Sequence, residues 1–439
     1  MTGIAAGLAG FAVLLVLMAI RIPIGVAMLG VGIAGYGLTN GWMPLLAYLK
    51  TAPYYQFSTY SLSVIPLFVL MGEFATHAGM SRALYRTAAV FLGHRRGGLA
   101  MASIGGCAAF GAICGSSLAT AATMGQVALP EMRRYNYSGA LSTGALAAGG
   151  TLGILIPPSV ILVLYALMAE QSIAKMFVAA IVPGLLAAFG YILAVAVFVR
   201  RHPEDGPAGP RASLGEKLAA LGETWSIIAI FALVIVGMYR GWFTPTEAAA
   251  VGAAGAGLLA VLHGGMRLKG LLECLRGTAT TSAMIFLILL GAEMFNAFLA
   301  QTRSPMLAAE AITSSGLSPM LVLMAMLLLY LALGCVMDSM SMLLLTVPIF
   351  YPIIAGLDFG LSPEETAIWF GILAVIVVEV GLITPPVGMN VFVINALARD
   401  VPMSESFRGV LPFLVSDFIR IGLLIAFPSV TLMLVRLFG

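Results

Sequence analysis

Charge is scarce in this sequence: Asp, Glu, Lys and Arg together make up 9% of its 439 residues, while 61% are hydrophobic. A soluble fold of this length has too little core to hide so much apolar surface, so the chain must be a polytopic membrane protein. Cysteine is equally sparse. The four present (Cys107, Cys114, Cys274, Cys335) lie in or beside apolar runs without CxxC spacing. That excludes a disulfide framework or metal cluster and leaves buried free thiols. The four histidines, His77, His94, His202 and His263, fall near the ends of apolar runs and read as interfacial residues. HExxH, Walker A and GxSxG patterns are all missing, so ATP hydrolysis and the common hydrolases have no support. No cofactor is expected, and no nucleic-acid partner. The net charge of +3 says little by itself, because in a membrane protein placement matters more than the sum.

What is present is a succession of apolar runs, at roughly 3–20, 22–38, 62–78, 97–129, 139–169, 177–199, 224–240, 245–262, 278–300, 318–355, 366–398 and 411–436. The first lacks a basic leader and is followed at once by the second, so it reads as a span rather than a signal peptide. Several runs are too long for one crossing of ~20 residues and too short for two. Segments 97–132 and 318–355 are interrupted by Cys114-Gly115-Ser116-Ser117 and by Gly334-Cys335-Val336-Met337-Asp338-Ser339. Both are expected to be re-entrant helical hairpins. Segments 139–169 and 366–398 carry Pro157-Pro158 and Pro385-Pro386, which break a helix by removing backbone donors. Such a break is tolerated in a membrane only where the freed backbone is buried in protein or lines a cavity.

Charge placement orients the chain. Arg95 and Arg96 precede the first hairpin and Arg133 and Arg134 follow it, which puts its ends in the cytoplasm. The second hairpin is preceded by a lone Arg303 and followed by Asp358, Glu364 and Glu365, which suits the opposite face. Threading the spans alternately leaves both termini outside. Gly153–Pro183 resembles Gly381–Pro412, and Phe68–Glu73 resembles Ile288–Glu293 more weakly. The expected organisation is therefore an all-α inverted repeat. N-terminal scaffold helices occupy 1–61 and the first repeat 62–200. A hydrophilic linker plus two scaffold helices fill 201–277, and the second repeat covers 278–439.

A break that recurs in matching places of a duplicated chain points to a transporter binding site. Half-helix ends and hairpin tips offer carbonyls for a cation and amides for an anion, and sodium favours such oxygen cages. Carboxylates inside apolar runs (Glu73, Glu293, Asp338, Glu379, Asp417) are costly to bury and are functional candidates by default. Asp338, at a hairpin tip, is the strongest. Glu73 and Glu293 occupy equivalent positions and serve either function or helix pinning. Asp417 and Arg420, spaced i,i+3, are expected to pair structurally. An intramembrane enzyme using Ser116 or Asp338 lacks a suitably placed base. A channel ranks below a transporter, because tips from both faces suggest two gates.

Four motifs in this order carry a resemblance that covers nearly the whole chain. They are Gly115-Ser116-Ser117-Leu118-Ala119-Thr120, Gly153-Ile154-Leu155-Ile156-Pro157-Pro158-Ser159, Phe243-Thr244-Pro245-Thr246-Glu247-Ala248-Ala249-Ala250 and Thr384-Pro385-Pro386-Val387-Gly388-Met389-Asn390. The sequence resembles the large membrane subunit of tripartite ATP-independent periplasmic (TRAP) transporters; Cys114 stands where many relatives carry serine. The resemblance implies an elevator-type, sodium-coupled importer of a small organic acid, such as a C4-dicarboxylate or sialic acid, in a bacterial inner membrane. A periplasmic binding protein would deliver the solute. A small membrane subunit would be a separate chain, since no extra four-helix segment is fused at the N-terminus. The resemblance places one sodium between Gly111, Cys114, Gly115, Ser116 and Gly153, Ile156, Pro158. A second would lie between Gly334, Met337, Asp338 and Gly381, Thr384, Pro386. The solute would sit near Ser117, Thr120, Ser159, Asp338, Ser339 and Asn390. Proton coupling or exchange through Asp338, Glu73 and Glu293 is the alternative.

Overall fold

The computed structural model describes residues 3–314 and 316–438, which form α-helices joined by short turns. The first half opens with α1 (Gly3–Ala19), α2 (Ile24–Asn40), α3 (Trp42–Ser58), α4 (Val64–His77) and α5 (Met80–Leu92). A hairpin follows, α6 (Gly98–Cys114) and α7 (Ser117–Arg134), then α8 (Gly139–Leu155), α9 (Val160–Met168) and α10 (Ile173–Arg201). The second half contains α11 (Leu214–Tyr239), α12 (Pro245–Leu262), α13 (Leu268–Thr302) and α14 (Ser304–Ser314). Its hairpin is α15 (Pro319–Gly334) and α16 (Ser339–Ala355). Then come α17 (Pro363–Gly381), α18 (Met389–Leu397), α19 (Met403–Ala426) and α20 (Pro428–Phe438). Among the described residues, five helices (α10, α11, α12, α13 and α19) are each long and apolar enough to cross a bilayer alone. This is a multi-pass membrane fold.

Local chemistry sets the helix ends. Ser213 with Glu216, Thr244 with Glu247, and Ser362 with Glu365 form capping boxes at the starts of α11, α12 and α17. Pro157-Pro158 separates α8 from α9, whose axes meet at 45°. Pro385-Pro386 lies in the longer gap between α17 and α18. Helices α3 and α5 fall where the hydropathy reading placed no span. The aromatic and polar residues of α3, and the strongly amphipathic, 13-residue α5 with Arg82 and Arg86, are too short or too polar to register as apolar runs. The last apolar run is also divided, at Phe427, into α19 and α20.

The two halves pack in the same pattern. α2 lies along α13, and α12 lies along α4. Each hairpin packs on the long helix that follows it, α6 and α7 on α8, α15 and α16 on α17. The short half-helices cross over: α9 packs on α16, and α18 on α7. Small residues allow the close approaches. A Cβ on Gly144 would strike the backbone of Gly409, and one on Gly149 would sit 2.9 Å from Cys107 Sγ. Across the seam, Lys175 pairs with Glu364 at 2.7 Å, Arg133 pairs with Asp400, and the amide of Ala140 donates to Glu405 Oε1 at 3.1 Å. The linker before α11 is a strap. Its carbonyls at Gly206 and Asp205 accept from the amides of Gly97 and Ser138, at the two feet of the first hairpin.

Candidate functional site

Both hairpin tips end at the start of a helix, and both are built alike. Ser116 caps α7, its hydroxyl accepting from the amide of Ala119 at 3.4 Å; Asp338 caps α16, its carboxylate accepting from the amide of Ser341 at 3.0 Å. The next residue in each case is a buried serine, Ser117 and Ser339. Their hydroxyls converge on one side chain, Glu379 of α17, which is 2% exposed. Ser117 donates to Oε2, and Ser339 donates to Oε1 at 2.6 Å. A single carboxylate thus joins the tips of both halves. Among the described residues, no ion pair is formed by Glu379.

In front of this junction is a cavity of about 510 Å³. Tip residues Ser116, Ser117, Leu118, Asp338, Ser339 and Ser341 line one wall; Gly25 of α2, Glu73 of α4 and Ile288 of α13 line the other. The unpaired first amides of α7 and α16 belong to this tip wall.

The residues assigned to the first cation site by resemblance fall together. A Cβ on Gly111 would strike the Cα of Gly153, and one on Gly153 would lie 2.9 Å from the Ser116 carbonyl oxygen. Gly115, with φ +64°, brings the tip within 3.5 Å of the Pro158 carbonyl oxygen by the same measure. Ile156 is the C-cap of α8, and Cys114 lines the cavity. Thr120 Oγ1 points at Gly153 and is buried without a hydrogen-bond partner. In the second set the two glycines meet: a Cβ on Gly381 would lie 2.6 Å from the backbone of Gly334. There Thr384 Oγ1 donates to the Val380 carbonyl at 2.6 Å, Met337 is buried, and Pro386 is exposed.

Of the residues assigned to the solute, Ser117, Asp338 and Ser339 line the cavity, as does Ser116. Ser159, Thr120 and Asn390 are fully buried behind it. Ser159 caps α9 through the amide of Leu162 at 3.5 Å, and Asn390 Nδ2 donates to the Ala147 carbonyl at 3.2 Å. Glu293 accepts from Tyr48 at 2.6 Å, whereas Glu73 faces the cavity. Asp417 and Arg420 pair at 2.6 Å, and Tyr191 ties Asp417 to Thr151 on α8.

The sequence makes Glu379 a functional candidate alongside Asp338, ranks Asp338 first, and assigns Glu379 to neither a cation nor a solute site. The available signal was a lone carboxylate in an otherwise apolar run from Ile368 to Val380, two residues before the glycine of the break.

Polytopic helices, two broken helices and two facing hairpin tips around a solute-sized cavity define a membrane transporter. The chain belongs to the family described as "Tripartite ATP-independent periplasmic transporter, DctM component", which matches over residues 11–430. It is 37% identical over 381 residues to the C4-dicarboxylate TRAP transporter large permease protein DctM of Pseudomonas aeruginosa, 87% of each chain being covered. It is 33% identical to the sialic acid TRAP transporter large permease protein SiaM of Vibrio cholerae, covering 86% of this chain and 87% of that one. The isethionate TRAP transporter permease protein DctMQ of Oleidesulfovibrio alaskensis is 31% identical, over 90% of this chain and 61% of its own length. These relatives are permeases, and the chain is a transport protein rather than an enzyme. The fold is also similar to that of the YdaH transporter of Alcanivorax borkumensis, with a TM-score of 0.65 and 13% identity over 97% of this chain and 98% of that one.

Proposed function

We propose that this chain is the large subunit of a sodium-coupled importer of a small organic acid, working by an elevator-type movement. The observation that carries the reading is the cavity at which both hairpin tips meet α2, α4 and α13. Tips, broken helices and Glu379 form one hydrogen-bonded unit, while α2, α4, α12 and α13 pack on one another across the cavity and meet that unit through α4 on α6 and α13 on α16. Sliding of the first unit against the second would carry the solute with it. The glycine pairs 111/153 and 334/381 bring backbone oxygens together without charge, which suits sodium, and the unpartnered hydroxyl of Thr120 is an available ligand at the first.

Both hairpins are read as re-entrant from opposite faces. Arg133–Asp400 joins residues that the charge pattern puts in the cytoplasm, and Lys175–Glu364 joins residues it puts outside. A bacterial inner membrane, periplasmic termini, a separate small membrane subunit and a periplasmic binding protein complete the proposal. The relatives' names favour dicarboxylates, sialic acid or isethionate as solutes. The test is uptake into vesicles holding the chain with its small subunit and binding protein. Uptake is expected under a sodium gradient and not under a proton gradient alone; full uptake without sodium would sink the proposal. Glu73, facing the cavity, favours a second reading in which a proton is carried there. In that case Glu73→Gln would abolish uptake driven by a proton gradient.

A further inference from the structure

The hydrogen atoms of Ser117 and Ser339 are both committed. A serine hydroxyl has one proton to donate and two lone pairs to receive with, and an ionised carboxylate is an acceptor only. With Ser117 donating to Oε2 and Ser339 to Oε1, Glu379 accepts from both, and what the two hydroxyls have left for the cavity they line is lone pairs. Asp338 stands beside them and, as a cap, also accepts rather than donates. At Ser117 and Ser339 the tip wall therefore presents side-chain acceptors. A solute carboxylate placed against these two serines would meet lone pairs and no donor, whereas the hydroxyl of Ser116, which only accepts from Ala119, keeps its proton free elsewhere on the wall. A hydroxyl, an amide N–H or an ammonium group would be paired there. The acid end falls to the free amides at the starts of α7 and α16, at Leu118 and Met340, and to the hydroxyl proton of Ser116.

We propose that Glu379 is a positioning residue that ties the two hairpin tips together and sets the polarity of their serines, so that the cavity selects organic acids carrying a hydroxyl or amide over acids lacking one. The inference rests on the organic-acid reading above. Glu379 acts through Ser117 and Ser339 and does not itself line the cavity. A site built to pair a solute hydroxyl discriminates against the analogue without it, because its own polar groups are then left unpaired.

The test uses the purified full chain in lipid nanodiscs with sodium chloride present. Its thermal stabilisation is titrated with matched acids: malate against succinate, lactate against propionate, and isethionate against ethanesulfonate. The hydroxylated member of a pair is expected to reach half-effect at a concentration about tenfold lower, equivalent to about 1.4 kcal/mol. Glu379→Gln keeps the shape but replaces one acceptor with a donor, so one serine reverses. The gap is then expected to shrink to about threefold or less, chiefly through weaker binding of the hydroxylated acid. Ser117→Ala and Ser339→Ala keep the carboxylate and are expected to narrow the gap separately, which guards against a Glu379 variant that simply misfolds.

Equal half-points for the pairs on the unmodified chain, or a gap untouched by all three substitutions, would overturn the proposal while leaving the organic-acid reading intact. A change confined to the sodium concentration needed, with the hydroxyl preference unaltered, would overturn it in favour of a cation resting on the serines. Stabilisation by none of the six acids would overturn both readings.

Discussion

The two tip-and-break units follow one plan but are held to different degrees. In the first, α6 turns into α7 through only Gly115 and Ser116, and the helix break runs from Ile156 to Ser159 with both prolines buried. Helix α4 covers the tip, a Cβ on Gly72 lying 3.1 Å from the Cys114 carbonyl oxygen, and α10 covers the break, with Gly184 against Ile156. Ser159 caps the half-helix beyond it. In the second, four residues separate α15 from α16 and seven separate α17 from α18. Pro385 and Pro386 are exposed, Val336 at the tip is 63% exposed, and Gly388 supplies no side-chain cap to α18. Longer connections with fewer covering contacts open at lower free energy. The first tip and break are thus the more firmly covered pair, and the second are the ones suited to open locally within the joined unit.

The largest expected effect lies at the seam between the units. Arg420→Met leaves Asp417 buried without its cation beside Tyr191 and α8, at a cost of about 3–5 kcal/mol. Urea or thermal unfolding of the nanodisc-embedded chain measures this. Adding Asp417→Asn is expected to restore much of the loss, and no restoration would mean that the pair is not a unit. Next comes replacement of each proline pair. Pro157→Leu/Pro158→Leu and Pro385→Leu/Pro386→Leu are both expected to abolish uptake in vesicles while membrane insertion persists. The first should also cost roughly 2–3 kcal/mol more stability than the second, because its break is buried. Equal losses would erase the distinction between the units.

A smaller difference is expected in access. Val336→Cys should react with a water-soluble maleimide more than about tenfold faster than Ile113→Cys, a gap of about 1.4 kcal/mol in local opening. The reverse order would identify the first tip as the mobile one. The least effect belongs to the exposed pair Arg133–Asp400. Arg133→Ala is expected to change stability by about 1 kcal/mol or less, read from the same unfolding curves.

Much of this is legible in the sequence. A chain this apolar has to be helical in a membrane, and Pro-Pro inside an apolar run has to break a helix wherever it falls. Both gaps in the broken helices contain these prolines. The i,i+3 spacing of Asp417 and Arg420 sufficed to pair them, since helix geometry alone brings such residues together. Helices α3 and α5 were not legible by hydropathy: α5 is amphipathic and has no continuous apolar run, and the run of α3 is interrupted by Lys50, Thr51, Pro53 and Gln56. Within the site, sequence favoured Asp338 for its place at a turn. The fold uses that carboxylate to cap α16 and gives the central position to Glu379.

The sequence by itself determined the medium, the helical class, the two breaks and the family, because these follow from composition and from patterns local to the chain. Only the tertiary structure decided which carboxylate holds the tips together and which break is covered. Ser117 and Glu379 are 262 positions apart, and Ser339 and Glu379 are 40 apart. No local periodicity carries that information. It arises when α7 and α16 are packed against α17 and its vicinity, where a buried carboxylate must find donors from whichever helices reach it.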